Sequence, residues 1–234
     1  MRPLSPADFL DLWERGSRLH PVDQGLLALR AAFPDTSYDA LADWPLGRRN
    51  RALAQIRGSC FGPRLEGWVS CPQCGEKLEF EMDSRALAAD GGLPREDAIV
   101  VKDQTFRLPT SRDLALAARE TDPHAAALRI LQACRLESGS TPAGFEEDIE
   151  EVGARMALAD PMAEIPLALQ CAACGNQWVE ALDITAFLWA EVEARAKRLL
   201  PEVHAWASAY GWTESEILSL SETRRRFYLE MVQS

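Results

Sequence analysis

Four cysteines in two Cys-x-x-Cys pairs are the residues of this sequence whose type and spacing favour a defined chemistry. The first pair is Cys71 and Cys74, and the second is Cys171 and Cys174. A single pair of this kind occurs in redox dithiols, in disulfides and in one half of many metal sites. Two pairs together supply four soft thiolate ligands, the number that a tetrahedral zinc ion accepts. The pattern predicts one structural Zn²⁺ per chain, with two disulfides or free thiols as the alternatives.

Each cysteine pair is predicted to lie at the turn of a β-hairpin. A short apolar segment precedes each pair, and Gly75 or Gly175 follows it at once, which permits a turn whose amides point at the sulfurs. The two pairs are 100 residues apart, so they form a split zinc ribbon. Closing so long a loop costs free energy that grows only logarithmically with its length, and zinc binding worth about 10 kcal/mol or more can offset it.

No combination of residues in the sequence predicts an active site. Cys60 and Cys134 stand alone in apolar segments, and we expect them to be buried thiols that behave as small hydrophobic side chains. A catalytic cysteine needs a histidine partner, and the sequence places none of the three histidines beside one. Glycine-rich phosphate loops, serine nucleophile elbows and His-Glu metal motifs are also absent from it. We therefore predict that the protein is not an enzyme.

Charge and hydropathy exclude two classes of partner. The 234 residues carry a net charge of −11, and residues 67–165 hold 10 basic and 19 acidic side chains. Nucleic-acid binding relies on basic surfaces that neutralise phosphates, so we predict no nucleic-acid partner. No stretch approaches the roughly eighteen unbroken apolar residues of a membrane span, and acidic side chains interrupt the first twenty residues. We expect a cytoplasmic protein with no membrane partner.

The elements that must position the cysteines are predicted to be mainly helices. The expected fold class is α+β, mostly helical, with a small antiparallel sheet that carries the split four-cysteine zinc ribbon. The predicted regions are an N-terminal helical region (1–66), a first zinc-knuckle hairpin (67–82), an acidic and mainly helical insertion (83–160), a second zinc-knuckle hairpin (161–182) and a C-terminal helical arm (183–234).

Capping residues and apolar spacing predict the individual elements. Helices are expected over residues 5–16, 22–32, 37–43, 48–57, 111–120, 123–136 and 145–159, with an extended stretch over 98–109. In the C-terminal region, apolar residues recur every three or four positions from Ile184 to Tyr210. Pro201 interrupts this stripe without shifting its phase, so we expect a kink or a second helix that abuts the first. Gly211 is predicted to end this element.

Aromatic and arginine side chains near the C-terminus form a predicted partner-binding surface. Tryptophan, tyrosine and arginine are enriched at protein interfaces. The residues are Trp206, Tyr210, Trp212, Arg224, Arg225, Arg226, Phe227 and Tyr228. The alternative is that aromatic residues at helical spacing belong to the core and that the arginines form a solvated face.

Several segments resemble a known protein family. They are GSCFGPRLEGWVSCPQCGEKLEF, WPLGRRNRAL, FRLPTSRDL, DPMAEIPLALQCAACGNQW and the C-terminal run with the pattern YGW…EIL…RR…YL. Together they resemble the baseplate hub assembly chaperone family of T-even-type contractile phage tails, to which proteins encoded with contractile injection systems are related. The resemblance implies a non-enzymatic assembly factor whose partners are baseplate hub or spike proteins.

Two other functions are compatible with paired cysteines. A zinc-ribbon adaptor in a transcription or translation complex would carry basic side chains along the knuckles, whereas the first knuckle holds Lys77 among Glu76, Glu79 and Glu81. A thiol oxidoreductase would need a reactive thiolate at a helix N-terminus, whereas both pairs are predicted to lie between strands. The adaptor is therefore the alternative to the assembly factor.

Overall fold

The structure, a computed structural model, describes residues 1–85, 87, 94–136 and 148–233, and helices predominate among them. The helices are α1 (Pro6–Gly16), α2 (Pro21–Ala32), α3 (Tyr38–Ala42), α4 (Leu46–Phe61), α5 (Ser111–Ala117), α6 (Pro123–Cys134), α7 (Ile149–Ala159), α8 (Ile184–Tyr210), α9 (Glu214–Ser219) and α10 (Glu222–Gln233). The strands are β1 (Arg64–Ser70), β2 (Lys77–Asp83), β3 (Ala98–Val101), β4 (Gln104–Arg107), β5 (Pro166–Gln170) and β6 (Gln177–Ala181).

The predicted fold class, α+β and mostly helical, is confirmed. The strands pair as three separate antiparallel hairpins, β1–β2, β3–β4 and β5–β6. The cysteine pairs lie in the turns of the first and third hairpins. The predicted small sheet is therefore divided, and each knuckle belongs to a hairpin of its own.

Helix α8 is the central element of the larger hydrophobic core. It packs against α1, α2, α4, α9 and α10. Leu188, Val192, Ala196 and Leu199 recur at helical spacing along its buried face and are almost completely excluded from solvent. The N-terminal region and the C-terminal region therefore share one core, and α8 is not a projecting arm.

Pro201 does not divide α8, which runs through it as one helix of 27 residues. Of the two expected alternatives, a kink or a second helix that abuts the first, the second is wrong. The proline lies on the solvent side of α8, while Leu199, Val203 and Trp206 on the opposite side are buried. Tertiary packing therefore compensates for the backbone hydrogen bond that a proline removes. Gly211, in the left-handed conformation with φ 68°, ends the helix as predicted.

A second, smaller hydrophobic core lies within the predicted insertion. The β3–β4 hairpin contributes Ile99 and Phe106, helix α6 contributes Leu131, and helix α7 contributes Val152 and Met156. The described part of residues 83–160 therefore has its own interior, inserted between the two knuckle hairpins.

The N-terminus of α4 is capped by a distant carboxylate. Pro45, at the capping position, has no side chain that could accept a hydrogen bond. The Gly47 N–H donates instead to Asp160 Oδ2 at 2.8 Å. A Cβ atom at Gly47 would lie 1.7 Å from Asp160 Oδ1, so this close approach requires glycine.

Candidate metal centre

The two knuckles share one backbone geometry. In the first, the Cys71 N–H donates to the Glu76 carbonyl at 2.8 Å, and the Gly75 N–H donates to the Cys71 carbonyl at 2.9 Å. The second knuckle repeats both hydrogen bonds at the same distances. Gly75 and Gly175 have φ angles of 76° and 74°, in the left-handed region that favours glycine. The expectation that each glycine permits a tight turn is confirmed.

The four predicted ligands converge on one point. All four Sγ atoms lie within 4.8 Å of one another. Two short distances join the knuckles: Cys71 Sγ to Cys174 Sγ and Cys74 Sγ to Cys171 Sγ are both 3.6 Å. A zinc–sulfur bond of about 2.3 Å gives a tetrahedron with edges of about 3.8 Å, whereas a disulfide bond is about 2.05 Å long. The spacing therefore suits a bound metal ion and is too wide for disulfides.

Each knuckle contributes one buried and one exposed ligand. Cys71 and Cys171 are buried, whereas Cys74 and Cys174 are exposed. Across the centre, the side-chain amide of Asn176 lies 4.0 Å from Cys71 Sγ, a distance at which it can donate a weak hydrogen bond to sulfur. Four sulfurs complete a tetrahedral set, so no coordination position is left for water or substrate.

The thiol pKa values diverge because the sulfurs share a small space. Burial raises the pKa of Cys71, but the backbone N–H groups of Cys74 and Gln73 and the neighbouring thiols lower it to about 6. The Glu76 N–H lowers the pKa of Cys74, but the thiols beside it, Cys174 first, raise it to about 12. Without a cation, fewer than four of the thiols ionise near neutral pH. A divalent metal supplies the positive charge that permits four thiolates.

The remaining cysteines lie outside this cluster. Cys134 is completely buried, and burial followed by the Asp113 charge raises the pKa of its thiol to about 12. The expectation of a buried thiol is confirmed for Cys134. Cys60 is only half-buried.

Two members of the predicted partner surface belong to the interior. Trp206 is 1% exposed and Arg225 is 2% exposed. Trp206 lies on the buried face of α8, and Arg225 on the face of α10 that packs against it. These two side chains are therefore not part of an exposed surface, and partner binding by them stays a prediction.

The other predicted surface residues lie at or near the surface. Tyr210 and Trp212 stack with ring centroids 4.7 Å apart, and Tyr228 meets Trp212 edge-on at 5.0 Å. Phe227 is 65% exposed, and Arg224 and Arg226 are exposed as well. Partner binding by these residues stays a prediction.

Two exposed apolar side chains on the knuckle hairpins were not among the residues predicted from the sequence. Trp68 on β1 is 66% exposed, and Val179 on β6 is 67% exposed. The signal was present in β1, because Trp68 shares its strand face with the polar residues Glu66 and Ser70. A large aromatic residue in phase with polar residues indicates an exposed position.

Comparison with known proteins identifies no relative: no protein-family model, curated protein or solved structure matches the chain. Among the described residues, none of the helices combines the length and apolar character that a membrane crossing requires. The cluster of four cysteines is therefore the described feature from which a function can be argued.

Proposed function

We propose that the protein is a non-enzymatic assembly factor for the baseplate hub of a contractile phage tail or contractile injection system, folded around one structural zinc ion. The observation that carries the zinc assignment is the convergence of four cysteine sulfurs from two hairpins. Thiolate ligands favour zinc over the harder cations magnesium and calcium. A complete set of four protein ligands is typical of a structural site and not of a catalytic one.

The bound zinc would clamp the β1–β2 hairpin to the β5–β6 hairpin. These hairpins are joined in the chain by the insertion and lie at the entrance and exit of its separate core. The clamp fixes both ends of the insertion, because each hairpin contributes two of the four ligands. A metal used in this way contributes directly to folding stability.

The segments that carry the family resemblance depend on one another structurally. The Asn50 side chain, in WPLGRRNRAL, donates to the carbonyls of Met162 and Ala163, in DPMAEIPLAL. The Leu46 N–H, in the first of these segments, donates to the Pro109 carbonyl, in FRLPTSRDL. Segments distant in sequence thus meet around the start of α4. Such mutual dependence supports the view that they belong to one structural unit.

Exposed apolar side chains and open strand edges support a role in binding other proteins. Trp68, Val179 and Phe227 are each at least 65% exposed. Each knuckle hairpin has only two strands among the described residues, so each strand has one edge without a strand partner. A hub protein that awaits its ring partners exposes similar surfaces, and a factor that covers them reversibly prevents aggregation and orders assembly.

Deletion of the gene tests this proposal. We expect sheath and tube proteins to fold normally, whereas few complete contractile particles form, because the defect lies in hub assembly. A tagged copy of the protein should restore particle yield and should co-purify with hub or spike proteins. Normal particle yield in the deletion strain, with no hub protein recovered on the tag, would contradict the proposal and favour a zinc-ribbon adaptor.

Surface variants of the tagged copy locate the binding region. Trp68→Ser and Phe227→Ser should reduce recovery of hub proteins while leaving zinc content and thermal stability unchanged. Leu158→Ser is the matched control, because Leu158 is 62% exposed but lies on α7 in the insertion. Equal losses for all three variants would exclude the knuckle and C-terminal surfaces as the specific site.

A further inference from the structure

A cavity lined by arginines lies between α8 and α10. Its volume is about 230 Å³. The lining residues on α8 follow one another at intervals of three or four positions, and those on α10 span one helical turn, so each helix presents one face to the cavity. The lining residues are Arg195, Arg198, Glu202, Trp206, Glu222, Arg225 and Arg226. Four guanidinium groups therefore face two carboxylates.

Two hydrogen-bond donors in this cavity have no partner among the described residues. Arg225 Nη1 and Trp206 Nε1 are buried and make no hydrogen bond. Glu222 pairs with Arg195 at 3.1 Å, and no carboxylate of the described residues lies within ion-pair distance of Arg225. A buried charge without a counter-ion is costly, and a buried donor without an acceptor adds to that cost.

The electrostatic surroundings of Arg225 favour an additional anion. Burial, followed by repulsion from Arg195, lowers the pKa of Arg225 from its ordinary value, although Glu202 and Glu222 act in the opposite direction. The lining as a whole has an excess of positive charge in a protein whose net charge is −11. One added anion would neutralise part of this excess.

We propose that this cavity binds the carboxylate of an acidic side chain from a protein partner. Arg225 Nη1 and Trp206 Nε1 are both N–H donors on residues that line the cavity, and a carboxylate has two oxygens that can accept from such donors. A phosphate dianion has more oxygens to satisfy and would be repelled more strongly by Glu202 and Glu222. The carboxylate chemistry is argued from the cavity alone. The identity of the partner protein rests on the proposed assembly function.

A groove next to the arginine cavity lies where the partner residue beside the acidic one would be placed. This groove, of about 500 Å³, shares Arg195, Arg198, Glu222 and Arg225 with the arginine cavity. Its other lining residues are Leu4, Pro6, Phe9, Ser59, Cys60, Phe61, Leu220 and Ser221. An acidic side chain in the cavity would place its neighbour in the chain against these residues. The groove therefore offers a second contact to the segment that carries the acidic residue.

Titration of the full chain with a capped glutamate tests the proposal. N-acetylglutamate N-methylamide carries a single side-chain carboxylate, and its glutamine counterpart is the neutral control. The readout is the Trp206 indole N–H signal in a ¹⁵N–¹H correlation spectrum, assigned with Trp206→Phe, at constant ionic strength. We expect a saturable shift with the glutamate compound and none with the glutamine compound.

Variants on the same helices make the test specific. Arg225→Met should abolish the shift, because it removes the buried guanidinium but keeps a long apolar side chain. Arg224→Met changes an exposed neighbour and should leave the shift intact. Glu202→Gln should tighten binding, because it removes a negative charge from the lining. If Arg225→Met fails to fold, Arg225→Lys, which keeps the charge but loses the planar fork, should weaken binding.

Three results would overturn the assignment. They are no saturable shift of the Trp206 signal, an equal shift in the Arg225→Met protein, and a shift with inorganic phosphate but not with capped glutamate. Failure of the proposed function gives a different pattern. In that case the capped glutamate would still shift the Trp206 signal, while the deletion strain would make normal numbers of particles.

Discussion

The ligand residues also build the turns that hold them. The carbonyl of Cys71 accepts the Gly75 N–H while its sulfur faces the metal centre, and Cys171 and Gly175 repeat this arrangement. Each buried cysteine thus offers a sulfur to the candidate metal centre and a backbone carbonyl to its turn, so a bound metal would hold the turn through the same residue. Cys74 and Cys174, which are exposed, complete the set of four sulfurs.

Loss of one ligand should empty the centre. Cys71→Ser and Cys174→Ser are each expected to lose zinc and to expose the amides of both knuckle hairpins to hydrogen exchange, because three sulfurs retain little of the folding energy that four supply. Elemental analysis and exchange mass spectrometry measure the two effects. Cys134→Ser is the control and should keep the metal. An empty site in the Cys134→Ser protein would show that the ligand assignment is wrong.

Asp160 links the pH dependence of stability to the start of α4. Its carboxylate is 1% exposed, and Oδ1 has no hydrogen-bond partner. Burial raises the pKa of Asp160 above 3.8, and the Gly47 N–H lowers it by less. The folded state therefore retains a proton that the unfolded state releases. The protonated Asp160 side chain therefore contributes most to folding stability below about pH 3.8. This contribution is lost as the pH rises through the folded-state pKa of Asp160.

Asp160→Asn should remove the loss of stability that accompanies ionisation of Asp160. Asparagine keeps an oxygen for the Gly47 N–H but carries no charge, so the variant should not lose stability as the pH rises through the folded-state pKa of Asp160. Its stability should also vary less between about pH 4 and pH 7, measured by urea unfolding at several pH values. Asp35→Asn, at an exposed residue, is the control. A less stable variant with an unchanged pH profile would contradict the expected role of the charge.

At the scale of elements, capping residues in the sequence predicted where helices begin and end. They did not predict features that depend on packing between helices. Helix α1 occupies Pro6–Gly16, where Ser5 and Asp8 form a capping box, and the sequence predicted a helix over 5–16. These signals lie within a few residues of the helix end. The continuity of α8 through Pro201 and the burial of Arg225 could not be predicted in this way, because both depend on which helices pack against α8 and α10.

Replacement of Pro201 tests the account of α8. Pro201→Ala restores a backbone donor in the interior of a continuous helix, so it should raise the free energy of unfolding by up to about 3 kcal/mol. Pro6→Ala is the matched control, since Pro6 occupies the first turn of α1, where proline is favoured. Urea unfolding measures both variants. An unchanged or lower stability for Pro201→Ala would mean that the proline is accommodated by a local distortion that alanine does not relieve.

At the scale of the whole molecule, the described residues form two hydrophobic cores. The larger core combines the helices before the first knuckle with those after the second, and the smaller core lies in the insertion between the knuckles. The sequence was sufficient to predict the four ligands, because paired cysteines and a following glycine are local signals. It could not predict that residues 1–66 and 183–234 share a core, because that depends on packing between distant helices.

The zinc content of the purified chain tests the central claim most directly. Native mass spectrometry of protein purified without added metal should show one zinc ion per chain, with all four ligand cysteines free of disulfide bonds. The Cys71→Ser protein, prepared in the same way, should show none. A metal-free chain with disulfides at Cys71, Cys74, Cys171 and Cys174 would contradict the account, because the two knuckles would then be held by covalent bonds and not by a shared ion.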